Sequence, residues 1–205
     1  MPLTPPTHTA DTASADWQHC RVTLPAPHNW LVLDLTARQP DAWARSVAEE
    51  HFTADVPAER RSAFAEDVLW YWSVARRQQA LCAALHTPRD SGVVAFYSVR
   101  ELSIPSESLR LDVLRAEAER AEGPYFRPPD ITEVELPLGA ALRVHRLEPT
   151  APDSAAGSVL EGVAHYVLPR AHSTALECRL LWQAMGLGEE LAEVADELAA
   201  SVRLV

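Results

Sequence analysis

The stretch that most constrains this chain is "VAHYVLPRAHSTALECRLLW", residues 163–182, in which two apolar runs flank a segment suited to a turn. If residues 170–173 form the turn, Pro169 opposes Thr174, and counting outward sets His165 opposite Cys178. Directly opposed residues of an antiparallel pair share a face, with Cβ atoms about 5 Å apart. Their neighbours on that face are Val163 and Val167 on one strand and Leu176, Leu180 and Trp182 on the other, which is the composition of a core. A hairpin with one buried face requires a sheet to belong to and a layer to cover it.

The flanking segments supply both. Residues 1–16 are rich in Pro, Thr, Ala and Ser with little to bury, and read as a flexible tail ahead of a single domain over residues 17–205. "CRVTLPAPHNWLVLDL" reads as a hairpin, with Val22 and Leu24 in one strand and residues 30–35 in the next. "DAWARSVAEEHF" carries Trp43, Val47 and His51 at helical spacing behind Asp41. A long helix is expected from Pro57 to just before Pro88, with Phe64, Val68, Tyr71, Trp72, Ala75, Cys82 and Leu85 on one face.

"GVVAFYSVREL" reads as a strand. "SLRLDVLRAEAERAEG" is ambiguous: its first half alternates, which favours a strand over residues 108–115, and its second half is a strong helix former, read as a polar turn or short helix. "ITEVELPLGAALRVHRL" gives two strands about a turn at residues 137–139, and "TAPDSAAGS" a loop. A terminal helix follows, with Leu191, Val194, Ala195, Leu198 and Val202 as its apolar stripe. Strands gathered after helices point to an α+β fold on an antiparallel sheet, not to alternating parallel units.

Composition narrows the function classes. Hydrophobic residues at 47% and charged ones at 23% are ordinary globular usage for 205 residues. A net charge of −11 repels phosphate backbones and anionic lipid surfaces, which argues against nucleic-acid and membrane partners. All 18 basic residues are arginine, a bias that suggests a high-GC bacterial genome. Three cysteines, Cys20, Cys82 and Cys178, are too few and scattered for a disulfide framework, and their odd number leaves at least one free. With no apolar run long enough to span a bilayer and no leader-like start, a reduced cytoplasmic protein is expected.

Two constellations carry possible chemistry. His165 and Cys178, joined by His145 from the preceding strand, could ligate a metal ion if their faces converge, although zinc needs at least three protein ligands. No third ligand can be placed from sequence, because the register and face of His145 are open, and the packed-core reading is preferred to the site, since free cysteine is among the most buried residue types. His172, in the expected turn, reads as a solvated loop residue. No GxSxG, GxGxxG or GxxxxGK occurs, and the last is impossible without lysine, so a P-loop nucleotide enzyme is excluded. In "WYW", successive helical residues point about 100° apart, so Tyr71 and Trp72 can face the core while Trp70 points sideways or outward; core packing is the favoured account of the triplet, with a partner-binding role for Trp70 second to it.

"VELPLGAALRVHRL", a loop, the opening hairpin and the terminal helix together resemble the C-terminal half of PsbP-like domains. "LPAPHNWLVLDL", "GVVAFYSV" and "SLRLDVLR" look like the preceding half, so the resemblance covers residues 20–204. It implies an antiparallel sheet of about six strands flanked by helices on both faces. Members include photosystem extrinsic subunits, a Ran-binding protein, bacterial lipoproteins and effector chaperones, largely non-catalytic, and the resemblance carries over no catalytic residue. The expected function is therefore a cytoplasmic, non-enzymatic adaptor or chaperone with no cofactor, binding an unidentified protein through a sheet or helix face, with Trp70 as the candidate contact. The alternative is a small metal-dependent or hydrolytic enzyme using His165, Cys178 and His145.

Overall fold

The computed structural model describes residues 14–17, 20–102, 109–120, 126–149, 159–170 and 174–204. Residues 1–13 of the expected tail, the loop at 150–158 and the turn residues 171–173, with His172, lie outside them.

In chain order the elements are β1 (Ser14–Trp17), β2 (Cys20–Thr23), β3 (Trp30–Val32), α1 (Pro40–His51), α2 (Ala58–Arg77), β4 (Cys82–His86) and β5 (Ala95–Leu102). There follow α3 (Leu111–Arg120), β6 (Asp130–Leu136), β7 (Gly139–Pro149), β8 (Val159–Pro169), β9 (Ala175–Trp182), α4 (Gly188–Ser201) and β10 (Arg203–Leu204). Among the described residues the fold is α+β, built on a 7-stranded antiparallel sheet in the order β3, β4, β5, β9, β8, β7, β6. A separate 3-stranded sheet joins β1, β2 and β10.

The central hairpin forms in the expected register, with His165 opposite Cys178. Its apolar face, with Val163, Val167, Leu176, Leu180 and Trp182, packs beneath Leu191, Ala195, Leu198 and Ala199 of α4 and beside Cys20 and Val22 of β2. Period two sends alternate residues to the other side of the sheet, where two clusters form. Ala83, Leu85 and Phe96 meet Ala44 and Ala48 of α1 and Phe64, Val68 and Ala75 of α2. Leu142 and Val144 meet Leu114 and Ala118 of α3. The sheet is thus the middle of three layers, with helices on both faces as the resemblance implies.

Four expectations about the elements are corrected. The long helix stops at Arg77, because Gln79 takes a left-handed backbone (φ 53). Its N–H reaches the Arg76 carbonyl at 3.1 Å and that of Ala80 reaches Ala75 at 3.0 Å. This is a Schellman closure made without the usual glycine. Cys82–His86 is then a strand buried on both faces, and such an apolar run fits helix and buried strand alike. The early hairpin does not form: β2 pairs with β1 and β10, whereas β3 pairs with β4, because Ala26 (φ 45) turns the chain out of one sheet and into the other.

Residues 111–115 are not strand but the start of α3, since Leu111, Leu114 and Ala118 at helical spacing cover β7. Finally, Ser14–Trp17 pair with β2, so the last three residues assigned to the tail belong to the fold. With β4 added as a strand that was not expected, the main sheet has 7 strands, where about six were expected.

The β6–β7 turn leaves no room for a side chain at its exit. Gly139 pairs with Pro169, and a Cβ built on it would lie 2.1 Å from the Leu168 carbonyl oxygen. Gly139→Ala is expected to cost about 2 to 4 kcal/mol in urea unfolding with an unchanged slope. A loss below about 0.5 kcal/mol, the range of a neutral surface substitution, would contradict this close approach.

Candidate functional site

The face of the sheet beneath α4 is apolar apart from a few polar groups, and these determine where the helix lies. Glu161 on β8 is 6% exposed. A carboxylate removed from water is costly unless it is hydrogen-bonded. Oε2 accepts the Trp182 Nε1–H at 3.0 Å from the directly opposed position on β9, and Oε1 accepts from His145 Nε2, on β7, at 2.8 Å. Gly188 opens α4 directly against this group: a Cβ there would meet Glu161 Oε2 at 2.8 Å. Glycine therefore lets the helix begin over the carboxylate, where the positive end of its dipole is directed.

Beside this floor opens a cleft of about 910 Å³ between the start of α4, the loop before it and the β7–β8 edge. Phe126 and Met185 line it and are 59% and 46% exposed, and Leu187 beside it is also exposed. Glu189, Glu190 and Glu193 on the first turns of α4 form its acidic side, with Arg127 as the basic residue in the lining. The surface thus combines large apolar side chains with negative charge.

One helical turn further along α4, Asp196 ties the helix to the sheet. Its Oδ1 lies 2.9 Å from His165 Nε2 and 2.7 Å from Arg143 Nε. Partial burial alone would push the Asp196 carboxyl up, but the His165 and Arg143 hydrogen bonds outweigh it and hold the group below the usual carboxylate range.

The residues singled out from sequence are thereby located. His165 and Cys178 do face one another, yet His165 bonds to Asp196 and His145 to Glu161. Complete burial pushes the Cys178 thiol up to about 12, which keeps it protonated and weakly nucleophilic at neutral pH. Among the described residues, no group of three or more His, Cys, Asp or Glu side chains is arranged to hold a metal ion. Trp70 is 57% exposed on α2, across the sheet from the cleft, with its ring edge-on to Tyr71 at 4.7 Å. Tyr71 in turn lies 5.0 Å from Phe96 in the sheet, so "WYW" divides between surface and core as its helical spacing requires.

Sequence reasoning missed the cleft. Its signals were a single acid inside the apolar run "VLEGVAHYVL" and a methionine flanked by small residues in "QAMGLG".

No family model matches the chain, and no curated protein does. Among solved structures it is similar to LpqN, described as involved in cell envelope biogenesis of Mycobacterium tuberculosis. That similarity has 11% sequence identity and a TM-score of 0.43, over 97% of this chain and 87% of that chain. It is a likeness of coarse fold.

The Asp196 contacts have a pH signature. A carboxyl whose folded pKa is depressed stabilises the fold fully above its unfolded value of about 3.9 and loses that contribution as the pH falls through the folded value. The stability gap between wild type and Asp196→Asn should be constant from about pH 7 to pH 5 and shrink toward about pH 2.5. Urea unfolding across that range measures it, and a gap that does not change with pH would contradict the ionic contacts.

Proposed function

We propose that the chain is a non-catalytic protein-binding domain, of adaptor or chaperone type, which takes a basic, amphipathic segment of a partner protein in the cleft at the start of α4. The observation that carries this reading is the pairing of Phe126 and Met185, 59% and 46% exposed, with the acidic edge of Glu189, Glu190 and Glu193. Large apolar side chains gathered at one exposed place mark interaction surfaces, and methionine adapts to varied partners. An acidic rim selects basic partners and speeds their approach, and the net charge of −11 acts in the same direction.

The polar groups near the cleft support binding over catalysis. Both oxygens of Glu161 are engaged, one by Trp182 and one by His145, so the pair holds the cleft floor in place. Trp70 offers one exposed ring on the opposite layer, whereas the cleft offers two apolar side chains and a charge pattern to read.

A synthetic helical peptide of about 18 residues, with leucine on one face and arginine on the other, serves as the probe. Titration calorimetry should give micromolar binding, weakened roughly tenfold or more by Phe126→Ser with Met185→Ser. Glu190→Gln with Glu193→Gln should weaken binding and flatten its salt dependence. Trp70→Ala should leave it unchanged. Equal binding of the same peptide with glutamate for arginine, or loss of binding on Trp70→Ala alone, would overturn the reading.

A further inference from the structure

The three cysteines, scattered at positions 20, 82 and 178, converge in the core beneath β2, together with the fully buried Tyr97. Cys20 Sγ lies 3.8 Å from Cys82 Sγ, although 62 positions separate them in sequence. The contact joins the two sheets, since Cys20 lies on β2 of the small sheet and Cys82 on β4 of the large one. Cys178 is placed differently. It and Cys82 both oppose Val99, one on each side of β5, so two interstrand spacings separate their Cα atoms, roughly 9.6 Å. A disulfide spans Cα atoms up to about 7 Å apart, so Cys82 cannot reach Cys178 while β5 lies between them.

We propose that Cys20 and Cys82 form a latent disulfide, closed by a low-molecular-weight disulfide such as oxidised glutathione, which clamps the small sheet onto the large one. The clamp would act at a junction made by short elements. Besides apolar packing, β2 is attached to the terminal region by Thr23, which gives and takes hydrogen bonds with Ser201 Oγ at 3.0 and 3.2 Å, and by the pairing of Arg21 and Cys20 with Arg203 and Leu204. A sheet made of strands of four and two residues opens more readily than the 7-stranded one, and this opening gives the oxidant access to buried thiols.

The exchange balances in two steps. The Cys20 thiolate attacks one sulfur of oxidised glutathione, the S–S bond breaks, and one glutathione thiolate leaves. The Cys82 thiolate then attacks the Cys20 sulfur, the mixed disulfide breaks, and the second glutathione leaves. The two protons given up by the cysteines end on the two glutathione thiols, and the protein dithiol has supplied two electrons. Cys20 is the suitable first attacker. Its hydrogen bond with Cys82 lowers its thiol below the ordinary range despite burial, whereas burial pushes Cys82 well up.

The test equilibrates the full chain in a redox buffer of oxidised with reduced glutathione, so that mixed disulfides stay reversible, natively and through an unfolding and refolding cycle, followed by acid quench, alkylation under denaturing conditions and mass spectrometry. The expected result is a monomer lighter by two hydrogens, with Cys178 alone alkylated and a peptide map joining Cys20 to Cys82. The thermal midpoint should rise by roughly 5 to 10 °C over the reduced protein. Cys178→Ala should still form the bond. Alkylation of all three cysteines after the cycle, a bond that includes Cys178, or a bond between chains would overturn the proposal.

Discussion

A carboxylate in the interior must receive from the protein the hydrogen bonds it gave up with water, and Glu161 receives them from an indole and an imidazole on the strands either side of it. Breaking one partner of such a buried set costs on the order of 3 to 5 kcal/mol, a large part of a domain's stability. Trp182 and His145 are thereby held in place, and the start of α4 is set at Gly188, the residue that tolerates the carboxylate against its backbone. Asp196 repeats the device about two turns on, and Ser201 bonds back to β2 at the helix end. The loop that leads into α4 presents Met185 to the cleft.

How much of this could be read from sequence depended on whether a segment's pattern had one solution or two. The β8–β9 hairpin had one, because the alternation of Val163, His165 and Val167 against Leu176, Cys178 and Leu180 fits only one register with a buried face. The terminal helix was equally legible from its stripe and its acidic first turn. "LCAALH" had two, since a fully buried strand shows no alternation, and what ended the preceding helix was Gln79 in a conformation that glycine normally signals. Residues 111–120 had two as well, and the choice was made by the tertiary packing of Leu114 and Ala118 on Leu142 and Val144. The cleft was not legible, because Phe126, Met185 and Glu193 come from separate segments and meet only in the fold.

The same placement separates the two functional readings. His165, Cys178 and His145 belong to the right face, as a metal or nucleophile site would need, yet the two imidazoles go to different carboxylates and the thiol is held protonated by burial. They are the polar joints of a core. Phe126 and Met185 lie instead at the edge of that core, next to negative charge, where the proposed partner segment would be recognised.

The central claim is that recognition takes place at the start of α4, and amide NMR spectra recorded during titration with the leucine–arginine peptide test it most directly. The predicted result is a set of shifts centred on Phe126, Leu147, Met185, Gly188 and Glu193, leaving the α2 surface around Trp70 undisturbed. Shifts centred on Trp70 and its helix, with the amides of the cleft unmoved, would contradict it.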